Sequence, residues 1–317
     1  MIQELDAFMP ARSRHPALLD PWQAALDFGP GTVMAVLTET HGPAYRSRGA
    51  AMALAADGRF AGALSSGCVE ADLMLNAQRV RDSGQPMQLR YGQGSPFIDL
   101  RLPCGGAIAV TLFLLRDRGV LAALARARAA RHQAVLTLSD AGRLSLGEGA
   151  GLRLTFRPGL RFVIFGAGPE AAVFADLVHS LDHDHVLLSH EDQSLTLAER
   201  MGCRVRRLGP LPDMAELVPD ERCAALLFYH DHDYEPAILR QLLTRPAFYI
   251  GAQGSRSTQA ARLARLASMR VPAADCARLR GPIGLIPSAR DPRQLAISVL
   301  AEVMAAAGEP VSVRRTP

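Results

Sequence analysis

The sequence predicts a two-domain α/β protein: a mixed α+β domain over residues 1–157, followed by a doubly wound parallel sheet over residues 158–317. Three observations carry that prediction. The second half alternates short apolar runs with helical stretches, the pattern of β-α-β units. Its first run, Arg161 to Phe165, leads straight into Gly166-Ala167-Gly168-Pro169-Glu170-Ala171 and an apolar helix, the setting that a dinucleotide-type glycine loop requires. The first half instead shows β-branched runs broken by turn signals, with few helices between them.

Taken in order, Pro16 to Phe28 places Leu18, Leu19, Trp22, Ala25 and Leu26 on one face and predicts a short helix. Thr32 to Thr38 predicts a buried strand, and a hairpin follows across Asp57-Gly58. Ser65-Ser66-Gly67 suits a tight turn. A helix then starts at or just after Cys68, with Val69, Leu73, Leu75 and Val80 as its apolar face, and stops at Asp82-Ser83-Gly84. Met87 to Tyr91 and Ala107 to Leu115 read as strands, Leu121 to Arg131 as a helix. Gln133 to Leu138 and Leu152 to Phe156 are strands joined by a glycine-rich connection, and the domain boundary falls at Arg157-Pro158-Gly159. In the Rossmann-like second domain, His185 to Ser189, Cys203 to Leu208, Ala224 to Tyr229 and Ala247 to Gly251 supply further strands. Thr258 to Ala267 and Gln294 to Ala306 are helices, and the last ten residues are expected to fray.

Composition narrows the function classes. With 317 residues, 49% hydrophobic and 21% charged, the chain can bury real cores. Its net charge of +4 comes from scattered arginines, and aromatics are only 5% with no basic interleaving, which argues against a nucleic-acid partner. No apolar run reaches the ~18 residues of a membrane span. The N-terminal residues lack a basic leader followed by an apolar core. Five cysteines, an odd number with no C-x-x-C, argue for reduced thiols and a cytoplasmic setting.

Cys68 is the first candidate site residue. A helix start offers free N–H groups and the positive end of the dipole, which stabilise a thiolate or a nearby anion. Cys104 lies in a second glycine turn, Leu102-Pro103-Cys104-Gly105-Gly106, just before a strand. Gly67, Gly105 and Gly106 flank the two thiols, and we expect Cys68 and Cys104 to face one cleft. In the second domain Gly166 and Gly168 allow a tight turn and close approach of a pyrophosphate. Gly251, Gly254, Ser255 and Arg256 form a candidate anion nest before a helix. His230 follows a parallel strand, on the side where open sheets bind ligands. The acid that grips an adenosine ribose is missing after Leu188, where Ser189 and His190 stand, with Glu191 and Asp192 coming later. This argues against NAD, and the lack of an arginine before Arg200 argues against NADP. The spacing of His179, His183 and His185 permits metal ligation, but these residues sit at polar element ends, so no metal site is expected.

The motifs GALSSGCVEADL, LPCGG, VIFGAGPEA, LFYHDHDYEPAIL and FYIGAQGSRST, with the GPIGL and ARDPRQLAISVLAEV ending, together resemble the XdhC/CoxI family. The resemblance runs in order from about Gly31 to Val303. It implies an accessory protein of molybdenum hydroxylases such as xanthine dehydrogenase. Such a protein binds molybdenum cofactor, as molybdopterin or its cytosine dinucleotide, supports its sulfuration by a cysteine desulfurase and delivers it to the apoenzyme. It also implies a homo-oligomer, homodimers included, and a maturation factor in place of an enzyme. Cys68, Cys104, Gly166, Gly168, Gly251 and Ser255 match the family's motif positions. The alternative is an NAD(P)-dependent oxidoreductase with a cysteine-bearing accessory domain. A third reading is an adaptor that docks the desulfurase to the hydroxylase, in which neither cysteine matters.

Overall fold

Asp20 sets the first break in the chain. Its carboxylate accepts the N–H groups of Trp22 and Gln23, and Pro21 takes the first helical position. The helix expected over 16–28 therefore divides into a 3-10 turn at Pro16–Leu18 and α1 (Pro21–Phe28). The computed structural model describes residues 15–65, 67–93, 102, 105–209, 213–229, 233–308 and 311–316, apart from the side chains of Cys68, Val311 and Ser312. The chain forms two compact units, Met1–Pro158 with Pro310–Pro317, and Gly159–Glu309.

In the first unit, β1 (Val33–His41), β2 (Ala51–Leu54), β3 (Phe60–Gly62), β4 (Met87–Gly92) and β5 (Ala107–Leu114) make an antiparallel sheet in the order β3-β2-β1-β5-β4. The hairpin between β2 and β3 turns through Gly58, at φ +88°, as its Asp-Gly pair predicts. β1 reads as an unbroken apolar run because both of its faces are covered. Met34 and Val36 pack with Trp22, Phe113 and Leu154, while Val33, Ala35 and Leu37 pack under α2 (Cys68–Ser83). α2 buries Val69, Leu73, Ala77 and Val80, but Leu75 is 73% exposed. Leu75 lies off the 3.6-residue row that the other four follow, so the expected apolar face is corrected there.

Behind β1 lie α3 (Arg118–Ala129) and a second sheet of β6 (Ala134–Leu138), β7 (Leu144–Leu146), β8 (Gly151–Phe156) and β15 (Val311–Thr316), ordered β15-β8-β6-β7. β7 falls in the stretch read as a glycine-rich connection. The tail expected to fray is instead β15, paired with β8 from Val311↔Phe156 to Thr316↔Gly151. Val313 packs against the core, and Arg315 pairs with Glu39 and Asp140. Residues 310–317 thus belong to the first unit, not to the second half where the chain order puts them.

The second unit runs β9 (Arg161–Gly166), α4 (Pro169–Ser180), β10 (Asp184–Ser189), α5 (Asp192–Arg200), β11 (Val205–Arg207) and α6 (Met214–Leu217). It continues through β12 (Cys223–Phe228), α7 (Glu235–Leu242), β13 (Tyr249–Ala252), α8 (Arg256–Ser268), α9 (Ala273–Cys276), β14 (Leu279–Arg280) and α10 (Pro292–Ala307). All six strands are parallel, in the order β11-β10-β9-β12-β13-β14. The order reverses between β9 and β12, the switch point of a doubly wound sheet. Phe174, Val178, Val299 and Val303 of α4 and α10 cover one face; Met214, Ile238, Leu242 and Leu266 of α6, α7 and α8 cover the other. Both units have the architecture the sequence predicts.

Candidate functional site

β1, β3 and β4 all run toward one end of the first sheet, and β5 starts there. The turn after β3 lifts the chain onto α2, which runs back across the sheet. The last turn of α2 reaches the opposite end, where Arg81 donates to the carbonyls of Gly31, Leu54 and Ala55. The first turn of α2 therefore stands at the end where β5 begins. Asp72 accepts the Tyr91 hydroxyl at 2.6 Å, and Tyr91 lies opposite Ile108 on β5. Leu64 and Val69 share a core with Leu102 and Ile108. The turn before Cys68 thus lies at the same end of one sheet as Leu102 and the start of β5. Cys104 and the Cys68 side chain lie outside the described residues, so the geometry of this end is that of the backbone and the neighbouring side chains.

Glu70 builds the turn. Its carboxylate is buried and accepts the N–H groups of Leu64 at 2.9 Å, Gly67 at 2.8 Å and Ser65. Gly67 sits at φ +127°, where L side chains are strained, and a Cβ there would meet nothing within 4 Å. Glycine therefore serves the backbone angle and leaves that face open. It also offers no side-chain acceptor to the first-turn N–H groups of α2. Gly105, at φ +73°, has an equally open face, and its N–H donates to Leu102 at 2.9 Å. Gly106 does a different job: a Cβ there would collide with the Pro43 carbonyl, so it permits close backbone packing. Nothing in a single sequence marks Glu70, beyond its place three residues after Gly67 in a capping-box spacing. Hydrogen bonds to a charged acceptor contribute about 1.5–3 kcal/mol each. Glu70→Ala should accelerate amide exchange at Leu64, Ser65 and Gly67 by about tenfold or more, tenfold being ~1.4 kcal/mol. Unchanged protection at these three amides would mean that the turn is held without the carboxylate.

In the second unit, a Cβ on Gly166 would collide with the Phe228 carbonyl and lie 3.0 Å from that of Ala171. Gly168 has φ +89°. Two of the loop's N–H groups are turned inward. That of Ala167 donates to Phe228 at 3.1 Å, that of Gly168 donates to Ser194 Oγ at 2.8 Å, and Pro169 has none. The Ser194 hydroxyl donates to Glu191 at 2.9 Å, and the Glu191 N–H donates to Ser189 Oγ at 3.1 Å. Positions 167–169 therefore present no free N–H to a phosphate. Glu170 also places a carboxylate in the first turn of α4, beside Gly168. In this conformation Gly166 and Gly168 serve packing and backbone angle. The acid expected late, Glu191, does reach the switch point, but it holds Ser194.

Within β13, Gly251 makes room for the Tyr249 ring and Ile283. Ser255 caps α8, accepting the Thr258 N–H at 3.1 Å, and its Oγ lies 2.7 Å from that of Ser257. Gly254 has φ +147°, and Arg256 is exposed at the start of α8. The expected nest is thus a capped helix with one exposed guanidinium. Beneath it, Arg262 makes a bidentate pair with Glu235 at 2.8 and 3.0 Å and donates to Gln259 at 2.7 Å and the Gln253 carbonyl at 2.8 Å. This buried pair ties the start of α7 to the loop after β13. His230 lies outside the described residues. Among the described residues no group of three His, Cys, Asp or Glu could hold a metal ion, and no helix is long and apolar enough to cross a membrane. Burial, with Asp176 adding to it, pushes the Cys203 thiol up to about 11, so it is protonated at neutral pH.

Residues 162–303 match the XdhC Rossmann domain, and residues 26–92 match the XdhC and CoxI family. The chain is 34% identical over 289 residues to the molybdenum cofactor insertion chaperone PaoD of Escherichia coli K12, covering 88% of this chain and 84% of that one. The chain belongs to the XdhC/CoxI family. A crystal structure of a xanthine dehydrogenase from Bacillus halodurans shares the fold, with a TM-score of 0.73 and 23% identity over 90% of this chain and 94% of that one. The XdhC/CoxI match over 26–92 contains the turn pinned by Glu70, and the XdhC Rossmann match contains the inward-turned glycine loop. For this XdhC/CoxI chain, NAD and NADP should bind with dissociation constants of about 0.1 mM or weaker, equivalent to no more than ~5.5 kcal/mol. Calorimetry measures this directly. Low-micromolar binding would mean that Ser194 and Glu191 leave the loop, and would favour the oxidoreductase reading.

Proposed function

We propose that this protein binds molybdenum cofactor, protects it while a cysteine desulfurase sulfurates it, and inserts it into a molybdenum hydroxylase of the xanthine dehydrogenase type. The observation that carries this reading is the Glu70-pinned turn ahead of Cys68, in a chain whose relative PaoD is called a molybdenum cofactor insertion chaperone. The cargo fits the first unit in chemical terms. It brings a molybdenum centre, for which a thiolate is a soft ligand that can also relay sulfur. It also brings phosphate, and the first turn of α2 supplies N–H groups with no side-chain cap, its one carboxylate, Glu70, being taken up by the N–H groups of Leu64, Ser65 and Gly67. Gly67 and Gly105 let a ligand approach the backbone with no side chain in the way. Glu70 keeps the turn in one shape, so these groups need not reorganise when cargo arrives.

In this reading Cys68 and Cys104 hold the cargo, as molybdopterin or its cytosine dinucleotide, and the protein works in the cytoplasm as a homodimer. Arg256 and His230 are candidates for contacts at the second unit's carboxyl edge. To test the reading, the protein is co-expressed with a molybdenum hydroxylase and purified, and any bound small molecule is identified by absorbance, by fluorescence of the oxidised pterin and by mass. A bound pterin that activates the apo-hydroxylase on mixing is the expected result. Protein that carries no pterin and leaves hydroxylase activation unchanged would remove the chaperone reading.

A further inference from the structure

Three aromatic rings stack in parallel at the carboxyl edge of the second unit's sheet. His190, just past β10, lies 4.0 Å from the Tyr234 ring at 21° and 5.7 Å from the Tyr229 ring at 19°. Tyr229, just past β12, is buried in the core shared with α7 and α8, whereas Tyr234 is 44% exposed. The stack therefore runs from core to solvent, on the face of the sheet opposite α4. His190 Nδ1 is sealed from solvent and has no hydrogen-bond partner among the described residues. Buried polar atoms are nearly always paired, and each exception asks for a cause. Beside the stack opens a cavity of about 330 Å³, lined among others by His190, Gly209, Asp233, Tyr234 and Gln241.

We propose that this shelf binds a planar heteroaromatic ring with a hydroxylated or phosphorylated arm, with Tyr234 holding the ring's place. Tyr234 precedes α7 without a capping hydrogen bond from its side chain, so rotation about χ1 can carry its ring outward. The ligand's ring then stacks on His190, as bases stack on aromatic side chains. The hydroxyl of its arm lies in the plane of the imidazole and pairs with Nδ1. The cavity's size sits at the lower end of ligand pockets, which run from about 300 to 1,000 Å³; it holds one ring system with its sugar, not a dinucleotide. Asp233 stands at the rim. The shared chemistry fits a nucleobase or a pterin. The shelf is distinct from the thiol end of the first unit, and it holds whether or not the chain carries molybdenum cofactor.

Calorimetry on the full chain tests this with cytidine, adenosine and guanosine 5′-monophosphates, 6-hydroxymethylpterin, and ribose 5-phosphate as the ringless control. At least one ring compound should bind with a dissociation constant below about 0.5 mM, while ribose 5-phosphate should not. Whichever binds most tightly identifies the source. His190→Ala should weaken binding about tenfold or more, ~1.4 kcal/mol. His190→Phe keeps an aromatic face and should also weaken binding, through loss of the Nδ1 pairing. Tyr234→Ala should bind as well as the native chain or better, because the displaced ring is gone. The proposal is overturned if no ring compound binds, if ribose 5-phosphate binds equally well, if either His190 variant binds like the native chain, or if Tyr234→Ala loses tenfold.

Discussion

Cys68→Ala should fold like the native chain and purify without its pterin. The helix that starts at Cys68 supplies an anion-stabilising end, and the turn before it is fixed by a buried carboxylate whose bonds among the described residues are all to backbone N–H groups. None of those bonds involves the thiol, so its removal leaves the turn standing. Truncating a small side chain away from a core, cap or buried network changes stability by about 0.5 kcal/mol or less. The chain has one tryptophan, Trp22, buried in the first unit's core on the side of β1 away from α2. Its fluorescence reports that unit's unfolding, and its midpoint in urea should not move. Pterin content and hydroxylase activation should fall to background. Cys68→Ala protein that still carries stoichiometric pterin would shift the cargo contact to Cys104 or away from thiols altogether. An unfolded variant would show that Cys68 is a structural residue.

Legibility in the sequence tracks the range of the interactions involved. The β-α-β alternation, the Asp57-Gly58 hairpin and the strand–glycine–helix junction at Gly166 are local patterns, and each is legible. β15 is not, because its six residues gain their partners from β8, Glu39 and Asp140, far away in the chain. Leu75 is misplaced because it is apolar but one row off the buried stripe. The setting of Cys68 is legible as a turn before a helix, yet the group that fixes that turn, Glu70, does not stand out. The glycine loop shows the opposite failure. Its glycines have the spacing of a phosphate cradle, but Ser194, twenty-six residues after Gly168, reaches back and takes the N–H. A motif defines which backbone groups are able to face a ligand; side chains from the next helix decide whether they do.

Glu235→Ala should be the most destabilising single change in the second unit. Glu235 and Arg262 have side chains 1% and 2% exposed, and no other acid is seen on that guanidinium among the described residues. Removing the carboxylate leaves Arg262 charged in a core with the Gln259 side chain and the Gln253 carbonyl as its remaining acceptors among the described residues. Breaking a buried pair in this way costs about 3–5 kcal/mol, whereas replacing both partners with apolar side chains is often close to neutral. The single variant should lower the unfolding midpoint of the second unit by about 6–20 °C, at ~2–4 °C per kcal/mol for a unit of this size. Glu235→Ala with Arg262→Met should recover much of that loss. The Trp22 signal distinguishes the units: the second unit's transition, followed through its tyrosines in near-ultraviolet circular dichroism, should move while the Trp22 midpoint holds. The carboxyl edge should also loosen, since the pair anchors the loop after β13 through Gln253, and exchange at the Gly254 and Ser255 amides should quicken. A loss of less than about 1 kcal/mol in the single variant would be the cost of a solvated surface pair, and would show that water reaches Arg262 in solution.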